Sequence, residues 1–268
     1  MLNFQGWVGY KRFSFLFWDW FWPSMLKGKR VIVTGASTGI GEQMAYHLAR
    51  MGAHVLVTAR TEAKLQKVNG KLSTHTCMLM ALRTQTQALF ELARLWGLDM
   101  LILNHVGKSY FSYFDGDVRH IQKLLDINFL SYVAMTVSAL PMLKQSGGSI
   151  VVVSSMAGKV GFPFTVPYSA TKFALDGFFS SLRQEFSIQN VNVSITLCIL
   201  SFIDTGKIRT AWPEECALEI IKGGALRQRE VYYKYTLTKI PLLLRDWAAE
   251  LLDYLVRQHY RVERPPAA

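Results

Sequence analysis

A tyrosine, a lysine and a serine near the middle of the chain have the types and spacing that proton transfer requires. Tyr168 and Lys172 stand four residues apart in the segment YSATKFALDGFFSSL, and Ser155 lies thirteen residues before Tyr168. A spacing of four places two side chains on one face of a helix. An ammonium group beside a phenol favours the ionised phenol and lowers its pKa. The spacing alone is weak evidence, because an amphipathic helix with a surface lysine shows the same pattern.

A glycine-rich segment earlier in the chain is typical of phosphate binding. The segment TGASTGIG covers residues 34–41, after the β-branched run RVIV and before an apolar pattern of helical period. Glycines in a turn between a strand and a helix let the backbone approach a pyrophosphate at the helix N-terminus. The residues that we expect to contact the cofactor here are Gly35, Ala36, Ser37, Thr38, Gly39, Ile40 and Gly41.

The end of the second predicted strand indicates which dinucleotide binds. A carboxylate at this point would bind a ribose 2′-hydroxyl, whereas the segment AHVLVTAR ends in Arg60. A guanidinium pairs with phosphate, so we predict NADP(H) with contacts from Arg60 and Thr61. Glu62 argues mildly for the unphosphorylated cofactor, and a solvated surface cation is the alternative interpretation of Arg60.

Strand and helix patterns alternate along most of the chain. Further strands are predicted at residues 77–81, 98–105, 148–155 and 192–200, and helices at 84–96, 118–143, 168–189 and 213–226. Repeated strand–helix units predict an α/β fold with a doubly wound parallel sheet of Rossmann type. The predicted organisation is an aromatic segment at 1–24, one catalytic domain at 25–235, and a C-terminal amphipathic helix and tail at 236–268.

The order of these motifs resembles the short-chain dehydrogenase/reductase family over about residues 27 to 232. The resemblance implies that Tyr168 is the general acid and base, that Lys172 lowers its pKa and holds the nicotinamide ribose, and that Ser155 orients a carbonyl group. It also implies a water relay supported by Asn128. Further cofactor contacts that it implies are Asn104, His105, Val106, Tyr168, Lys172, Ile203, Asp204 and Thr205. Substrate contacts that it implies are Ser155, Met156, Phe162 and Tyr168.

Several segments are similar to those of hydroxysteroid dehydrogenases within that family. This similarity implies interconversion of a ketone and a secondary alcohol on a steroid, of the 11-keto and 11β-hydroxy type. Two alternatives stay open: a reductase of another lipid carbonyl such as a retinoid, and a catalytically inactive membrane-associated relative. The second is raised by the shortened segments at 69–97 and 206–212, and Thr38 stands where a family lysine is expected.

The two ends of the chain indicate a membrane surface and a second subunit. The aromatic segment Phe13–Trp22 suits the headgroup region, and Leu243, Trp247, Leu251, Tyr254 and Leu255 share one side of a predicted helix at 242–256. By resemblance we expect a homodimer at the endoplasmic reticulum membrane, with the catalytic domain in the lumen. The glycosylation sequon at Asn192 suits a lumenal domain.

Composition excludes other classes of function. The formal net charge is +11, but the basic residues form no zinc-finger or basic-helix pattern, so we do not expect nucleic acid as a partner. The three cysteines, Cys77, Cys198 and Cys216, share no metal-ligand spacing, so we expect no metal and a buried structural role for each.

Overall fold

The computed structural model describes residues 21–70, 77–81, 97–201 and 213–259, which form a seven-stranded parallel sheet with helices on both faces. Along the sheet the strand order is β3-β2-β1-β4-β5-β6-β7. The strands are β1 Arg30–Thr34, β2 His54–Ala59, β3 Cys77–Ala81, β4 Met100–Leu103, β5 Ser149–Ser155, β6 Ser194–Leu200 and β7 Glu230–Tyr232. The predicted doubly wound parallel sheet is therefore confirmed.

The helices alternate with these strands. They are α1 Gly39–Arg50, α2 Glu62–Asn69, α3 Val118–Leu125, α4 Ser131–Ser146, α5 Val166–Ile188, α6 Pro213–Ala225, α7 Tyr235–Trp247 and α8 Ala249–His259. A π-helical turn at Asp126–Leu130 joins α3 to α4 without a break in the chain direction. Short 3-10 turns occur at Pro23–Leu26 and Met156–Gly158.

Alternation along the strands divides the buried side chains between two cores. In β1, Val31 and Val33 pack on the face covered by α1 and α6, whereas Ile32 packs on the face covered by α4 and α5. The strands are buried on both faces, which explains their continuous apolar sequences. Leu242 of α7 and Leu252 of α8 belong to the second core, so the C-terminal helices pack against the same sheet.

The strand order reverses direction between β1 and β4, which lie side by side although two strands separate them in sequence. Ligands of open parallel sheets bind at this type of switch point, outside the carboxyl ends of the strands. The glycine-rich turn follows β1, Asn104 to Val106 follow β4, and Ser155 ends β5. The fold therefore brings the predicted site residues to one edge of the sheet.

Three elements differ from the sequence prediction: the terminal helix, helix α2 and strand β7. The predicted terminal helix at 242–256 is two helices, because the chain leaves the helical conformation at Ala248. Helix α2 and strand β7 were not predicted, since both are short and α2 has only Leu65 and Val68 as buried apolar side chains. The predicted helix at 84–96 lies outside the described residues.

Within the described residues, one helical run is long and apolar enough to span a membrane, Val118–Ser146. It comprises α3, the π-helical turn and α4, and Tyr132, Met135 and Ala139 of this run pack in the second core. The aromatic segment predicted to lie at a membrane, Phe13–Trp22, falls outside the described residues except at its end.

Candidate active site

The glycine-rich turn after β1 is held by close backbone contacts that exclude larger side chains. A Cβ atom on Gly35 would lie 2.7 Å from the His105 Cα, and one on Gly41 would lie 2.2 Å from the Gly35 carbonyl oxygen. Gly39 has φ +62° and open space where a Cβ would point. The turn therefore combines tight packing beneath it with an unobstructed outer side at the start of α1.

Asn104 fastens this turn to the end of β4. Its side-chain Nδ2 donates to the carbonyl oxygens of Thr34 and Gly35 at 3.2 and 3.3 Å, and its backbone N–H donates to the Thr34 hydroxyl at 2.9 Å. Asn104 thus fixes the backbone that the sequence predicted to contact the cofactor.

A cavity of about 600 Å³ opens above the ends of β1, β2 and β4. Nine residues predicted to contact the cofactor line it: Gly35, Ser37, Thr38, Ile40, Arg60, Thr61, Asn104, His105 and Val106. Ala36, Gly39, Gly41, Tyr168 and Lys172 do not line it, and Ile203, Asp204 and Thr205 lie outside the described residues. The lining that the sequence analysis missed comprises Thr34, Thr58, Ala59, Lys64, Asp126, Ile127, Ser131 and Met135. A prediction of α2 as a helix would have found Lys64, which stands in its first turn.

Helix α5 begins at Val166, two residues before Tyr168, and this start brings Tyr168 and Lys172 close to Ser155. Pro167 in the first turn suits a helix start, and the Thr165 hydroxyl donates to the Phe162 carbonyl at 2.7 Å just before it. The Tyr168 hydroxyl interacts with Ser155, the last residue of β5, whose hydroxyl oxygen also accepts from the Ala157 N–H at 3.2 Å. Lys172 is only 3% exposed and donates to the Val153 carbonyl at 3.0 Å, while its Nζ lies 5.7 Å from the centre of the Tyr168 ring.

Burial shifts the pKa values of Tyr168 and Lys172 in opposite directions. Burial raises the pKa of Tyr168, and the hydrogen bond with Ser155 opposes the rise only in part. Burial also lowers the pKa of Lys172 to about 8. Burial thus dominates the pKa of Tyr168, and the Lys172 ammonium is directed at the Val153 carbonyl; the lowering of that pKa by Lys172 stays a prediction.

Asn128 lies in the π-helical turn and is completely buried. Its Oδ1 accepts a hydrogen bond from the Gly107 N–H at 2.7 Å, and its Nδ2 donates to the Thr171 hydroxyl at 3.1 Å. Thr171 in turn donates to the Tyr168 carbonyl at 2.7 Å. The Asn128 side chain thus connects the loop after β4 to the first turn of α5, and both ends of its amide are used for this.

Aromatic side chains come from the loop after β4 and from the turn before α5, and one of them contacts Tyr168. The Phe111 ring lies 6.1 Å from the Tyr168 ring in an edge-on arrangement, and the rings of Tyr113 and Phe164 are 4.8 Å apart. Phe111 and Tyr113 are exposed, and the sequence analysis named neither, because a loop gives no periodic signal. Of the predicted substrate contacts, Phe162 is partly buried against the second core, whereas Met156 is 2% exposed and packs inside it.

Comparison with known proteins agrees with this geometry. The model of the short-chain dehydrogenase family matches residues 29–215, which include the glycine-rich turn, Ser155, Tyr168 and Lys172. The chain belongs to the short-chain dehydrogenase family. The resemblance found in the sequence is thereby confirmed, and so is the type of fold.

Two relatives within this family cover nearly the same length. The chain is 50% identical to the chicken (Gallus gallus) hydroxysteroid 11-beta-dehydrogenase 1-like protein, over 84% of this chain and 85% of the relative. It is 44% identical to hydroxysteroid 11-beta-dehydrogenase 1-like protein A of Xenopus laevis, over 96% of this chain and 95% of that one. The homologues of this short-chain dehydrogenase are thus hydroxysteroid dehydrogenase-like.

A solved structure of a metagenomic short-chain oxidoreductase in complex with NADP has the same fold. Its TM-score is 0.66 and its sequence identity 25%, and the match covers 78% of this chain and 98% of that one. The residues of our chain fit such a dinucleotide: Gly39 leaves open space at the start of α1, and Arg60 and Lys64 supply positive charge to the cavity.

Proposed function

We propose that this short-chain dehydrogenase is an NADP(H)-dependent oxidoreductase that interconverts a ketone and a secondary alcohol on a steroid. The observation that carries the proposal is that Tyr168, Ser155 and buried Lys172 meet at the carboxyl end of β5, with the Lys172 Nζ 5.7 Å from the centre of the Tyr168 ring, beside a cavity suited to a dinucleotide. This is the arrangement that proton transfer to a carbonyl oxygen requires.

Each residue of the group has a distinct part in the reducing direction. The bound nicotinamide, when reduced, supplies a hydride to the carbonyl carbon of the substrate. Tyr168 gives its proton to the carbonyl oxygen, and the Ser155 hydroxyl donates a hydrogen bond to that same oxygen as negative charge develops. Lys172 would hold the ribose of the bound cofactor and would return a proton towards Tyr168, with Asn128 supporting the water relay. In the opposite direction Tyr168 accepts the alcohol proton.

The surroundings of Tyr168 support an apolar, rigid substrate. Phe111 presents its ring edge-on to Tyr168, Tyr113 of the same loop packs on Phe164, and Phe162 lies in the turn before α5. Flat apolar faces of this kind suit a fused-ring lipid better than a small polar ketone. The names of the relatives support a steroid in particular, of the 11-keto and 11β-hydroxy type.

The choice of NADP(H) is supported by the charge of the cavity. Arg60 follows β2 directly and donates from its guanidinium to the Val106 carbonyl at 3.4 Å across the cavity. The remaining donors of this side chain suit a 2′-phosphate, whereas a carboxylate would repel it. Neighbouring Thr61 lines the same cavity.

The proposal extends to the location and assembly of the protein. We infer a homodimer at the endoplasmic reticulum membrane, with the catalytic domain in the lumen and Asn192 glycosylated. The exposed apolar side chains of α7 and α8, among them Trp247 at 87%, support contact with a partner subunit or a membrane surface. Asn192 is exposed on the segment before β6.

The test is NADPH oxidation by the purified protein with an 11-keto steroid. We expect turnover by the wild type and a rate about a hundred- to ten-thousandfold lower for Tyr168→Phe, since the variant cannot transfer the proton. NADPH affinity of the variant should stay within about twofold. Tyr254→Phe, an equally conservative change at an exposed site on α8, is the matched control and should keep the full rate.

Other outcomes separate the alternatives. If NADPH binds but the steroid is not reduced, the next substrates to test are retinal and other lipid carbonyls. Turnover with one of them would make that class the proposed substrate in place of a steroid. If NADPH binds and no carbonyl is reduced, the protein is a catalytically inactive relative and the oxidoreductase proposal is wrong.

A further inference from the structure

We propose that Lys64 is the second cation that selects the 2′-phosphate of NADP(H). It would take over the role of the family lysine expected at position 38, where this chain has Thr38. The inference rests on the proposed cofactor and goes beyond it, because it assigns the selection to a residue outside both the glycine-rich turn and the end of β2.

The position of Lys64 is fixed by the packing of α2. Lys64 is the third residue of this helix, and the next residue, Leu65, is 1% exposed, as is Val68 one turn later. Both pack in the first core beneath the sheet ends. With these two side chains anchored, Lys64 lines the dinucleotide cavity and stays exposed to solvent.

The charges around the cavity favour an anion at this end. Arg60 and Lys64 are the basic side chains of its lining, and Asp126, in the π-helical turn, is the acidic one. Among the described residues no ion pair or hydrogen bond of the Lys64 side chain is found, and the side chain is exposed at the cavity. A phosphate monoester carries close to two negative charges at neutral pH, and Arg60 alone supplies one positive charge.

Thr38 cannot supply the missing charge. It stands in an extended conformation just before α1, lines the same cavity and makes no capping hydrogen bond with its hydroxyl. A hydroxyl can donate to a phosphate oxygen, but it distinguishes a phosphorylated from an unphosphorylated ribose less well than a charge does. With Lys64 the cavity lining has two cations, and both lie on the side of β2 and α2.

The experiment measures dissociation constants of four probes: NADPH, NADH, 2′,5′-ADP and 5′-AMP. We expect Lys64→Gln to weaken NADPH and 2′,5′-ADP by about tenfold, which corresponds to about 1.4 kcal/mol, and to leave NADH and 5′-AMP within about twofold. Lys67→Gln is the matched control: this exposed lysine lies one turn along α2, outside the cavity lining, and should change none of the four.

A rescue variant distinguishes lost charge from disturbed structure. Adding Thr38→Lys to Lys64→Gln should restore most of the preference for NADPH over NADH, because the charge returns at the same cavity. If wild type prefers NADPH and Lys64→Gln keeps that preference unchanged, the role of Lys64 is overturned while the proposed cofactor stands. If wild type itself shows no preference between NADPH and NADH, both the choice of NADP(H) and the role of Lys64 are overturned.

Discussion

His105 has two possible functions in the sequence, and its surroundings decide between them. It could pack beside the cofactor, where the resemblance places it, or act as a catalytic base. In the structure Nδ1 lies 2.9 Å from the Thr34 hydroxyl oxygen and Nε2 lies 2.6 Å from that of Ser131. Each of these hydroxyls also donates to a backbone carbonyl, Ser131 to Ile127 at 2.6 Å and Thr34 to Ile102 at 3.2 Å. With both nitrogens hydrogen-bonded, His105 supports the cavity wall.

This environment gives His105 a predictable effect on stability. Burial, with the charges of Lys172 and Arg60, lowers the pKa of His105 to about 4. Below about pH 6.5 the unfolded chain takes up a proton that the folded protein does not. The free energy of unfolding should therefore fall by up to about 2 kcal/mol between pH 7 and pH 5 on account of this residue.

His105→Asn removes that titration and keeps a side chain that can hydrogen-bond with Thr34. Between pH 7 and pH 5 we expect the free energy of unfolding in urea to depend less on pH for the variant than for the wild type. Above pH 7 the pH dependence of the two proteins should be the same. Parallel curves over the whole range would show that His105 is not held neutral by its surroundings.

At the scale of elements, helix α6 lies unusually close to the sheet. A Cβ atom on Gly224 would lie 2.4 Å from the Val151 Cγ2, and one on Gly223 would lie 2.2 Å from the Val231 Cγ2. Such distances exclude any side chain unless the helix moves away from the strands. The two glycines therefore set the spacing of α6 from β5 and β7.

Gly224→Ala should destabilise the protein by about 1 to 3 kcal/mol, because the added methyl group overpacks the contact with β5. Gly177→Ala is the matched control, in the interior of α5 with open space around its Cβ position. It should stabilise by about 0.5 to 1 kcal/mol, since alanine loses less conformational entropy in a helix. Equilibrium urea denaturation measures both changes, and shifts of the same sign would contradict the close-packing argument.

A network of charges joins the turn after Ser155 to the C-terminal elements. The Lys159 ammonium lies 2.6 Å from Asp176 of α5 and 2.9 Å from Glu230 of β7. Arg245 of α7 donates to the Lys159 carbonyl at 2.5 Å. Three elements that are distant in sequence thus hold the turn that follows the candidate catalytic serine.

At the scale of the whole molecule, the C-terminal helices leave apolar side chains uncovered. Leu243, Trp247, Leu251, Tyr254 and Leu255, which the sequence placed on one side of a single helix, are all exposed across α7 and α8. The buried contacts are made instead by Leu242 and Leu252. The exposed set is the surface that we expect a second subunit to cover.

Leu243→Lys combined with Leu251→Lys should shift the protein from dimer to monomer, because two buried charges would face an apolar partner surface. Sedimentation velocity measures the change, and NADPH affinity should be unaffected. Ile188→Lys, at an 81% exposed position at the end of α5, is the control and should stay dimeric. If the double variant stays dimeric, this face is not the subunit interface. If the double variant stays dimeric and no longer binds lipid vesicles, the face is a membrane-binding surface.

The sequence by itself determined the parallel sheet, the dinucleotide turn and the pairing of Tyr168 with Lys172. These features depend on neighbours in the chain: β-branched runs, helical periodicity, glycine spacing and a separation of four residues. The position of Ser155 at the end of a strand was predictable for the same reason. Local patterns of this kind are strong enough to persist whatever surrounds them.

The tertiary structure decided which side chains meet and how burial changes their charge. Lys64 joins Arg60 in one cavity only because α2 packs against the sheet, and Phe111 reaches Tyr168 from a loop without periodicity. Desolvation, which depends on every neighbouring element, raises the pKa of Tyr168 and lowers that of Lys172. A linear sequence contains neither the distances nor the burial that set these quantities.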